Sequence, residues 1–211
     1  RYKVKKSQTD NKSRNESLMH AIWLAMGVQA TEGGLGEWVN GAGETRVVLA
    51  DRFQDGILPR DAFWPNAFSN ANFNNPAYQQ AIADLQEGLL LDVLQGQWDL
   101  SLNGNSGNAF LVVKDGVIRG VRCDGGTGGP YDAGNSRQNG HFDAHPLRFM
   151  ERIFGQGFLN GGRIQGSSEE GNWNRGLTLD ALKAIARRTI LPLTDQRIDS
   201  LVNAITVSYT H

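Results

Sequence analysis

The chain has 211 residues, of which 39% are hydrophobic, and its formal net charge at pH 7 is −1. This length suits one domain or two closely joined lobes, and the near-zero charge gives no reason to expect a nucleic-acid partner. The single cysteine, Cys123, excludes an intramolecular disulfide and a cysteine-based zinc site, and it fits a reducing compartment. No apolar run approaches the roughly 18 residues that a membrane-spanning helix needs, so we expect no transmembrane segment.

The first part of the chain predicts a strand followed by a helix. Tyr2–Lys5 alternates apolar and basic residues, as an edge strand does. Residues 7–14 are polar and predict a loop. Apolar residues spaced four positions apart then predict a helix over Glu16–Met26, and Gly27 is a plausible stop signal.

The next segment predicts little regular structure. Glu32–Glu44 is rich in glycine and ends in a turn, so a loop is expected there. Arg46–Ala50 is a candidate for a short buried strand. Asp55–Asn75 contains two prolines and many asparagines, which predicts an irregular segment that its aromatic side chains hold against the core.

The middle of the chain predicts a long helix and then a hairpin. Asn75 is a good N-cap and Pro76 suits the first helical position, so a helix is expected from there to about Gly96. Its wide apolar face indicates a buried, central helix. The runs Ala109–Val113 and Val117–Val121, separated by an Asp-Gly turn, predict a hairpin.

Three further helices are expected after a glycine-rich segment. They cover roughly His145–Phe154, Leu179–Ile190 and Asp195–Val207, and Thr178 and Thr194 are placed to cap the last two. A strand and helix, a hairpin and then helices indicate an α+β fold with a helical C-terminal half.

An acid, an amide and a second acid stand around the predicted hairpin. Asp99 follows the buried helix on a polar loop, Asn108 precedes the first strand, and Asp124 follows the second. Because a tight hairpin brings its ends together, Asn108 and Asp124 are expected to be near neighbours, and their oxygen atoms suit magnesium. Phosphoryl transfer needs such ligands, a cation on the phosphates and a carboxylate that orients the attacking hydroxyl.

The segment 91–126 resembles the catalytic and metal-binding loops of atypical kinases, namely the HipA-like serine/threonine kinases and the phosphatidylinositol 3-/4-kinase group. Four motifs carry the resemblance in the expected order: Gly96-Gln97-Trp98-Asp99, Gly107-Asn108-Ala109-Phe110-Leu111, Asp115-Gly116-Val117-Ile118 and Asp124-Gly125-Gly126. Upstream, Tyr2-Lys3-Val4-Lys5 is similar to the kinase strand whose lysine contacts the phosphates. Thr45–Phe53 is similar to the strand and the Arg-Phe signature that lie near the interlobe hinge in HipA-like kinases.

The resemblance implies an α+β, protein-kinase-like fold with a mainly helical C-terminal lobe, a catalytic β-hairpin and a reduced or truncated N-terminal lobe. Residues 1–55 would form the N-lobe-like segment and residues 56–211 the C-lobe-like domain.

The resemblance also implies a set of site residues, with ATP and Mg²⁺ as cofactors. Asp99 would orient the acceptor hydroxyl as the catalytic acid–base residue. Lys5, held by Glu16, would bind the phosphates, and Asn108 and Asp124 would hold Mg²⁺ and the nucleotide.

The catalytic loop departs from the family pattern at two points. In those families the asparagine follows the acid by about five residues, whereas Asp99 and Asn108 are nine apart. Either the loop carries an insertion, or Asn103 or Asn105 is the metal ligand. Leu100-Ser101 also stands where an arginine or histidine usually follows the acid.

The phosphate-binding loop is a third departure. No glycine-rich loop precedes Lys5, so those strands would lie before Arg1, come from a second chain or be replaced. Gly33-Gly34-Leu35-Gly36 is a weaker candidate for the same role.

The leading hypothesis is an ATP- and Mg²⁺-dependent phosphotransferase, an atypical protein or lipid kinase acting on a hydroxyl acceptor. The alternatives are an inactive kinase-fold binding module and a kinase-fold enzyme with other nucleotide chemistry, such as AMP transfer. The expected partners are a nucleotide and a protein or lipid acceptor. The expected location is the cytoplasm, or the host cytosol for a bacterial toxin or effector kinase.

Overall fold

The computed structural model describes residues 2–5, 10–52, 54–59, 73–95, 108–125, 174 and 176–207. Its elements, in chain order, are β1 (Tyr2–Lys5), α1 (Asp10–Ala25), β2 (Gly33–Val39), β3 (Thr45–Arg52), a 3₁₀ turn (Pro76–Tyr78), α2 (Gln79–Glu87), α3 (Leu89–Gln95), β4 (Ala109–Lys114), β5 (Val117–Arg122), α4 (Leu179–Thr189) and α5 (Asp195–Val207).

The first sheet is antiparallel and has the strand order β1-β3-β2. Lys5, at the end of β1, lies opposite Leu49, which is fully buried in β3. The start of α1 is tied to the same strand, because the Val47 N–H donates to Asp10 Oδ1 (3.2 Å) and Ser13 Oγ donates to the Val47 carbonyl (3.1 Å). The central strand therefore fixes both β1 and α1.

The predicted start of α1 at Glu16 is wrong, since the helix begins at Asp10. Its first turns are polar because they bond to the sheet, and Ser13 and Asn15 are buried there. Because these buried residues are polar, the sequence has no apolar periodicity over the first turns of the helix. Glu16 consequently lies beyond the first turn, where the field of the helix N-terminus has largely fallen off.

The glycine-rich stretch that was expected to be a loop is mostly strand β2. Gly33 to Gly36 pair with residues 48–51 of β3, so this stretch is a strand and not a loop, and its suggested place over a nucleotide stays a prediction. Pairing with the central strand here outweighs the low β-propensity of glycine. The turn follows at Asn40, whose Oδ1 accepts from the N–H groups of Ala42 and Glu44 (2.9 Å each).

The predicted hairpin is confirmed. β4 and β5 pair in register from Ala109 opposite Arg122 to Lys114 opposite Val117. Asp115 and Gly116 turn with φ values of 52° and 78°, as a two-residue hairpin loop that matches the strand twist requires.

The helix that was predicted from Pro76 to about Gly96 is interrupted. A 3₁₀ turn, in which Asn75 Oδ1 accepts from the Ala77 N–H (3.0 Å), leads into α2. Gly88 then interrupts the helix, and α3 begins at the next residue. The Arg122 guanidinium packs against Gly88, where a Cβ would overlap it, and it donates to the carbonyls of Asp84 and Leu85. These carbonyls lie in the last turn of α2, so the bonds cap the helix where it ends.

The two C-terminal helices agree with the prediction. Thr178 Oγ1 accepts from the Ala181 N–H (3.2 Å) and Thr194 Oγ1 from the Arg197 N–H (3.3 Å), so both threonines cap as expected. The helix predicted near residues 145–154 lies outside the described residues. Among the described residues, none of the helices has the length and apolar character to cross a membrane.

One apolar core joins the first sheet's helix to the hairpin. It includes residues from α1, α2 and β4, among them Trp23, Leu85 and Leu111. A short parallel bridge between Ala30 and Arg122 reinforces this junction: Arg122 N–H donates to the Gln29 carbonyl (3.0 Å) and Thr31 N–H to the Arg122 carbonyl (2.8 Å). The suggested division at residues 55/56 stays a prediction.

Candidate active site

Three charged side chains, from β1, from α1 and from the segment after β5, lie in direct contact. Lys5 Nζ, at the end of β1, lies 2.9 Å from Glu16 Oε1 on α1. The same nitrogen lies 2.6 Å from Oδ1 of Asp124, two residues after β5. The cluster therefore contains one ammonium and two carboxylates.

The cluster runs from the protein interior to the surface. The Glu16 side chain is fully buried, whereas 28% of the Lys5 side chain and 40% of the Asp124 side chain are exposed. Glu16 thus holds the lysine from inside, and Asp124 lies at the open side. A phosphate or a cation can therefore reach Lys5 and Asp124 from solvent.

Burial and charge shift the pKa values of the two inner groups. Burial by itself lowers the pKa of Lys5, but the attraction of Glu16 and the bonds to both acids outweigh it, so the pKa is raised above 10.5. Burial raises the pKa of Glu16 above 4.5, and the charge of Asp124 adds to this rise, while Lys5 opposes it. Both pKa shifts are expected for a partly buried cluster of net charge −1, in which two carboxylates share one ammonium.

The end of the hairpin brings Asn108 close to Asp124. The Cys123 N–H donates to the Asn108 carbonyl (2.8 Å), so Asn108 lies opposite the neighbour of Asp124. Asn108 is 6% exposed. This arrangement agrees with the expectation that the two residues are near neighbours.

The oxygen atoms at this point are of the kind that bind magnesium, and a Mg²⁺ site here stays a prediction. Asp124 has a half-exposed carboxylate, and Glu16 Oε2 is a buried oxygen without a hydrogen-bond partner in the structure. Within the described ranges, no group of three or more His, Cys, Asp and Glu side chains could hold a metal. Mg²⁺ suits such a place, because it usually takes one or two protein ligands and completes its shell with water and phosphate oxygens.

The remaining predicted site residues cannot be placed. Asp99 and the alternative ligands Asn103 and Asn105 lie outside the described residues. Their roles, and those of Lys5, Glu16, Asn108 and Asp124, stay predictions.

Sequence reasoning missed a buried histidine beside the cluster. His20 is 1% exposed, and its Nε2 accepts a hydrogen bond from the Gly125 N–H (3.3 Å). Its Nδ1 lies 3.1 Å from Thr31 Oγ1 and 3.5 Å from Asp51 Oδ1. The available signal was the spacing of four between Glu16 and His20, which puts both on one helix face.

A second network that sequence reasoning missed lies directly behind the hairpin. Arg122 and Asp92 form a fully buried ion pair (3.1 Å), and Trp23 Nε1 donates to the same carboxylate (3.0 Å). Through this pair, α1, α3 and β5 are connected. No local sequence pattern announces it, because its members stand far apart in the chain.

Comparison with known proteins gives the class of fold. No family model matches the chain, and no curated protein matches it. Among the solved structures that are similar to this chain is a kinase, and the fold of this chain is kinase-like. That structure is the crystal structure of the Helicobacter pylori proinflammatory kinase CtkA, with a TM-score of 0.51 and 14% sequence identity over 98% of this chain and 82% of that chain.

Proposed function

We propose that the chain is an ATP- and Mg²⁺-dependent phosphotransferase of the atypical protein or lipid kinase type, which transfers a phosphoryl group to a hydroxyl acceptor. The observation that carries this proposal is the position of Lys5 Nζ between Glu16 and Asp124 in a kinase-like fold. Catalysis of phosphoryl transfer consists mainly of positioning and charge stabilisation, and this cluster supplies a held cation next to a carboxylate.

Lys5 is the residue that binds the phosphates. Glu16 is fully buried, so it holds the ammonium from the interior, on the side away from the opening of the cluster, and its attraction favours the charged form of Lys5. A phosphate that approaches from that side meets a cation whose position is already fixed, which avoids reorganisation during the reaction.

Asp124 and Asn108 are the residues that would hold the metal. Bound Mg²⁺ would neutralise charge on the β- and γ-phosphates. The carboxylate of Asp124 is next to the Lys5 ammonium, so the phosphates and the metal ligand are brought into one place. Asp99 is proposed, from its place in the sequence, to orient the acceptor hydroxyl.

The family motifs between residues 91 and 126 favour the HipA-like or phosphatidylinositol kinase-like types. They support a protein or lipid hydroxyl as the acceptor. A cytoplasmic location, or the host cytosol for a secreted kinase, is part of the same proposal.

The test is nucleotide binding followed by product analysis. In a thermal-shift assay, ATP with Mg²⁺ is expected to raise the Tm, because a ligand at about 100 times its Kd stabilises the fold by about 2.7 kcal/mol. Mass spectrometry of an incubation with ATP and candidate proteins or lipids is then expected to find a phosphoryl adduct. Binding without any turnover would indicate a binding module, and an AMP adduct would indicate nucleotidyl transfer. Absence of binding would contradict the proposal.

A further inference from the structure

The imidazole of His20 connects the first sheet to the turn that carries Asp124. On one side, Nε2 accepts from the Gly125 N–H (3.3 Å), the residue directly after Asp124. On the other side, Nδ1 faces Thr31 Oγ1 (3.1 Å) and Asp51 Oδ1 (3.5 Å), the latter on β3. The ring itself stacks on Trp23, with the ring centroids 5.5 Å apart.

These contacts define which ring nitrogen carries the proton. A backbone N–H can only donate, so Nε2 must present its lone pair to Gly125. In the neutral ring the proton then lies on Nδ1 and is directed to Thr31 or Asp51. Asp51 Oδ1 is buried, has no conventional hydrogen-bond partner and lies 3.5 Å from Nδ1, so the geometry offers an acceptor on that side of the ring.

The backbone conformation at Asp124 is one that such a hydrogen bond can support. Its φ angle is +57°, in the left-handed region that residues other than glycine seldom adopt, although aspartate does so more readily than most. The hydrogen bond from the Gly125 N–H to a rigidly packed ring holds the next peptide and so favours this conformation. The same conformation directs the Asp124 carboxylate to within 2.6 Å of Lys5 Nζ.

We propose that His20, as the neutral tautomer protonated on Nδ1, is a positioning residue that fixes the Asp124–Gly125 turn and thereby sets the affinity for the divalent cation. This inference rests on the proposed function, because it assigns the cation to Asp124. His20 does not touch the cation. It acts through the backbone of Gly125, as residues behind metal ligands commonly do.

The decisive comparison is between His20→Gln and His20→Leu. The glutamine Oε1 can take the place of Nε2 as acceptor for the Gly125 N–H, whereas leucine fills the space without an acceptor. The Mg²⁺ concentration that gives half-maximal ATP binding is measured for both. We expect an increase of about 10- to 100-fold for His20→Leu and a value near that of the wild type for His20→Gln. Mg²⁺-free nucleotide affinity is expected to be the same in both variants.

A second measurement determines the tautomer in the wild-type protein itself, and a variant serves only to assign the resonances. The chain has four histidines, so the ¹⁵N resonances of His20 have to be assigned. They are those that are absent from the spectrum of His20→Gln. In the wild-type protein we expect a protonated Nδ1 and an unprotonated Nε2. A proton on Nε2 would overturn the inference, because the ring could not then accept from Gly125.

The outcomes separate the inference from the proposed function. If the wild-type protein shows Mg²⁺-dependent ATP binding and His20→Leu keeps the same half-saturating Mg²⁺ concentration, only the role of His20 is overturned. If the wild-type protein shows no Mg²⁺-dependent binding, the proposed function fails and the cation role of His20 fails with it, while the tautomer measurement still decides the geometry.

Discussion

The guanidinium of Arg122 lies against Gly88, in the space that any larger residue at position 88 would fill with its side chain. Arg122 reaches this place from β5 and bonds to the last turn of α2, to Asp92 on α3 and, by its backbone, to the segment after α1. A fully buried arginine is acceptable here because several acceptors surround its charge. The break between α2 and α3 follows from this contact.

Removing the partner of this arginine is expected to be costly. In Asp92→Ala, the Arg122 charge and the Trp23 N–H lose a common acceptor in the interior, and we expect a loss of about 3–5 kcal/mol in the free energy of unfolding. Urea denaturation measures this change. Glu32→Ala removes the acid of the exposed Arg52–Glu32 pair and is the control, with an expected loss of about 0–1 kcal/mol. Similar losses in both variants would contradict the structural role of Asp92.

Replacing Lys5 is expected to reduce the transfer rate strongly. Lys5→Met keeps most of the side-chain volume but removes the charge that faces the phosphates, and we expect kcat to fall by about 10²–10³-fold, as for the loss of one stabilising donor. Lys114→Met, at the exposed tip of the hairpin, is the matched control and should keep wild-type kcat. A phosphoryl-transfer assay decides, and wild-type activity in Lys5→Met would rule out its phosphate role.

Two aspartates with the same unusual backbone allow a matched test of the metal ligand. Asp115 (φ 52°) and Asp124 (φ 57°) are both in the left-handed region, which asparagine also tolerates. We expect Asp124→Asn to lose most of the Mg²⁺-dependent rise in Tm with ATP, because the amide is uncharged and a weaker cation ligand. Asp115→Asn should keep this rise. An equal rise in Tm in both variants would show that the Asp124 carboxylate does not bind the cation.

Asp99 is expected to act after nucleotide binding. If it orients the acceptor hydroxyl, Asp99→Ala should abolish transfer and leave the Kd for ATP with Mg²⁺ close to that of the wild type. Calorimetry and a transfer assay on the same sample separate the two steps. Undiminished transfer in Asp99→Ala would move the role to another acid.

Glu16 is expected to make stability depend on pH in a defined direction. Its pKa in the folded state is raised above the ordinary value of 4.5, so between that value and the raised pKa the folded state binds more protons than the unfolded state. The free energy of unfolding attributable to Glu16 therefore falls as the pH rises through this window. Glu16→Gln, which cannot titrate, should show a flatter dependence there. An unchanged slope would contradict the burial of a titrating Glu16.

Lys5 is expected to affect stability only at alkaline pH. Its raised pKa means that its contribution to stability is complete below 10.5 and is lost as the pH rises through the higher folded-state value. The two groups thus affect separate pH ranges, which makes the Glu16 effect measurable by itself.

Features that depend on neighbouring residues were predictable from the sequence. The Asp115-Gly116 turn and the Thr178 cap follow from local backbone and hydrogen-bonding preferences, and the structure has both. The start of α1 and the break at Gly88 were not predictable, because they depend on contacts with Val47 and Arg122 that are distant in sequence.

The candidate site also has contacts that could be predicted from the sequence and contacts that could not. Pairing of Lys5 with Glu16 was expected only from the order of motifs in a kinase family, since no periodicity connects a strand lysine with a helix glutamate. The contact between Lys5 and Asp124, which are 119 positions apart, was not predicted. His20 was missed because a single histidine on an apolar helix face is usually a packing residue, and its partner here is a backbone N–H group.

The contact between Lys5 and Asp124 also has a consequence for the order of folding. The two residues are 119 positions apart, so their ion pair forms only after the first sheet and the hairpin have both been built and brought together. Contacts of such long sequence separation require closure of a large loop and slow the search for the native state. The charges of the candidate site are therefore expected to assemble in a late step, once the chain around them is already compact.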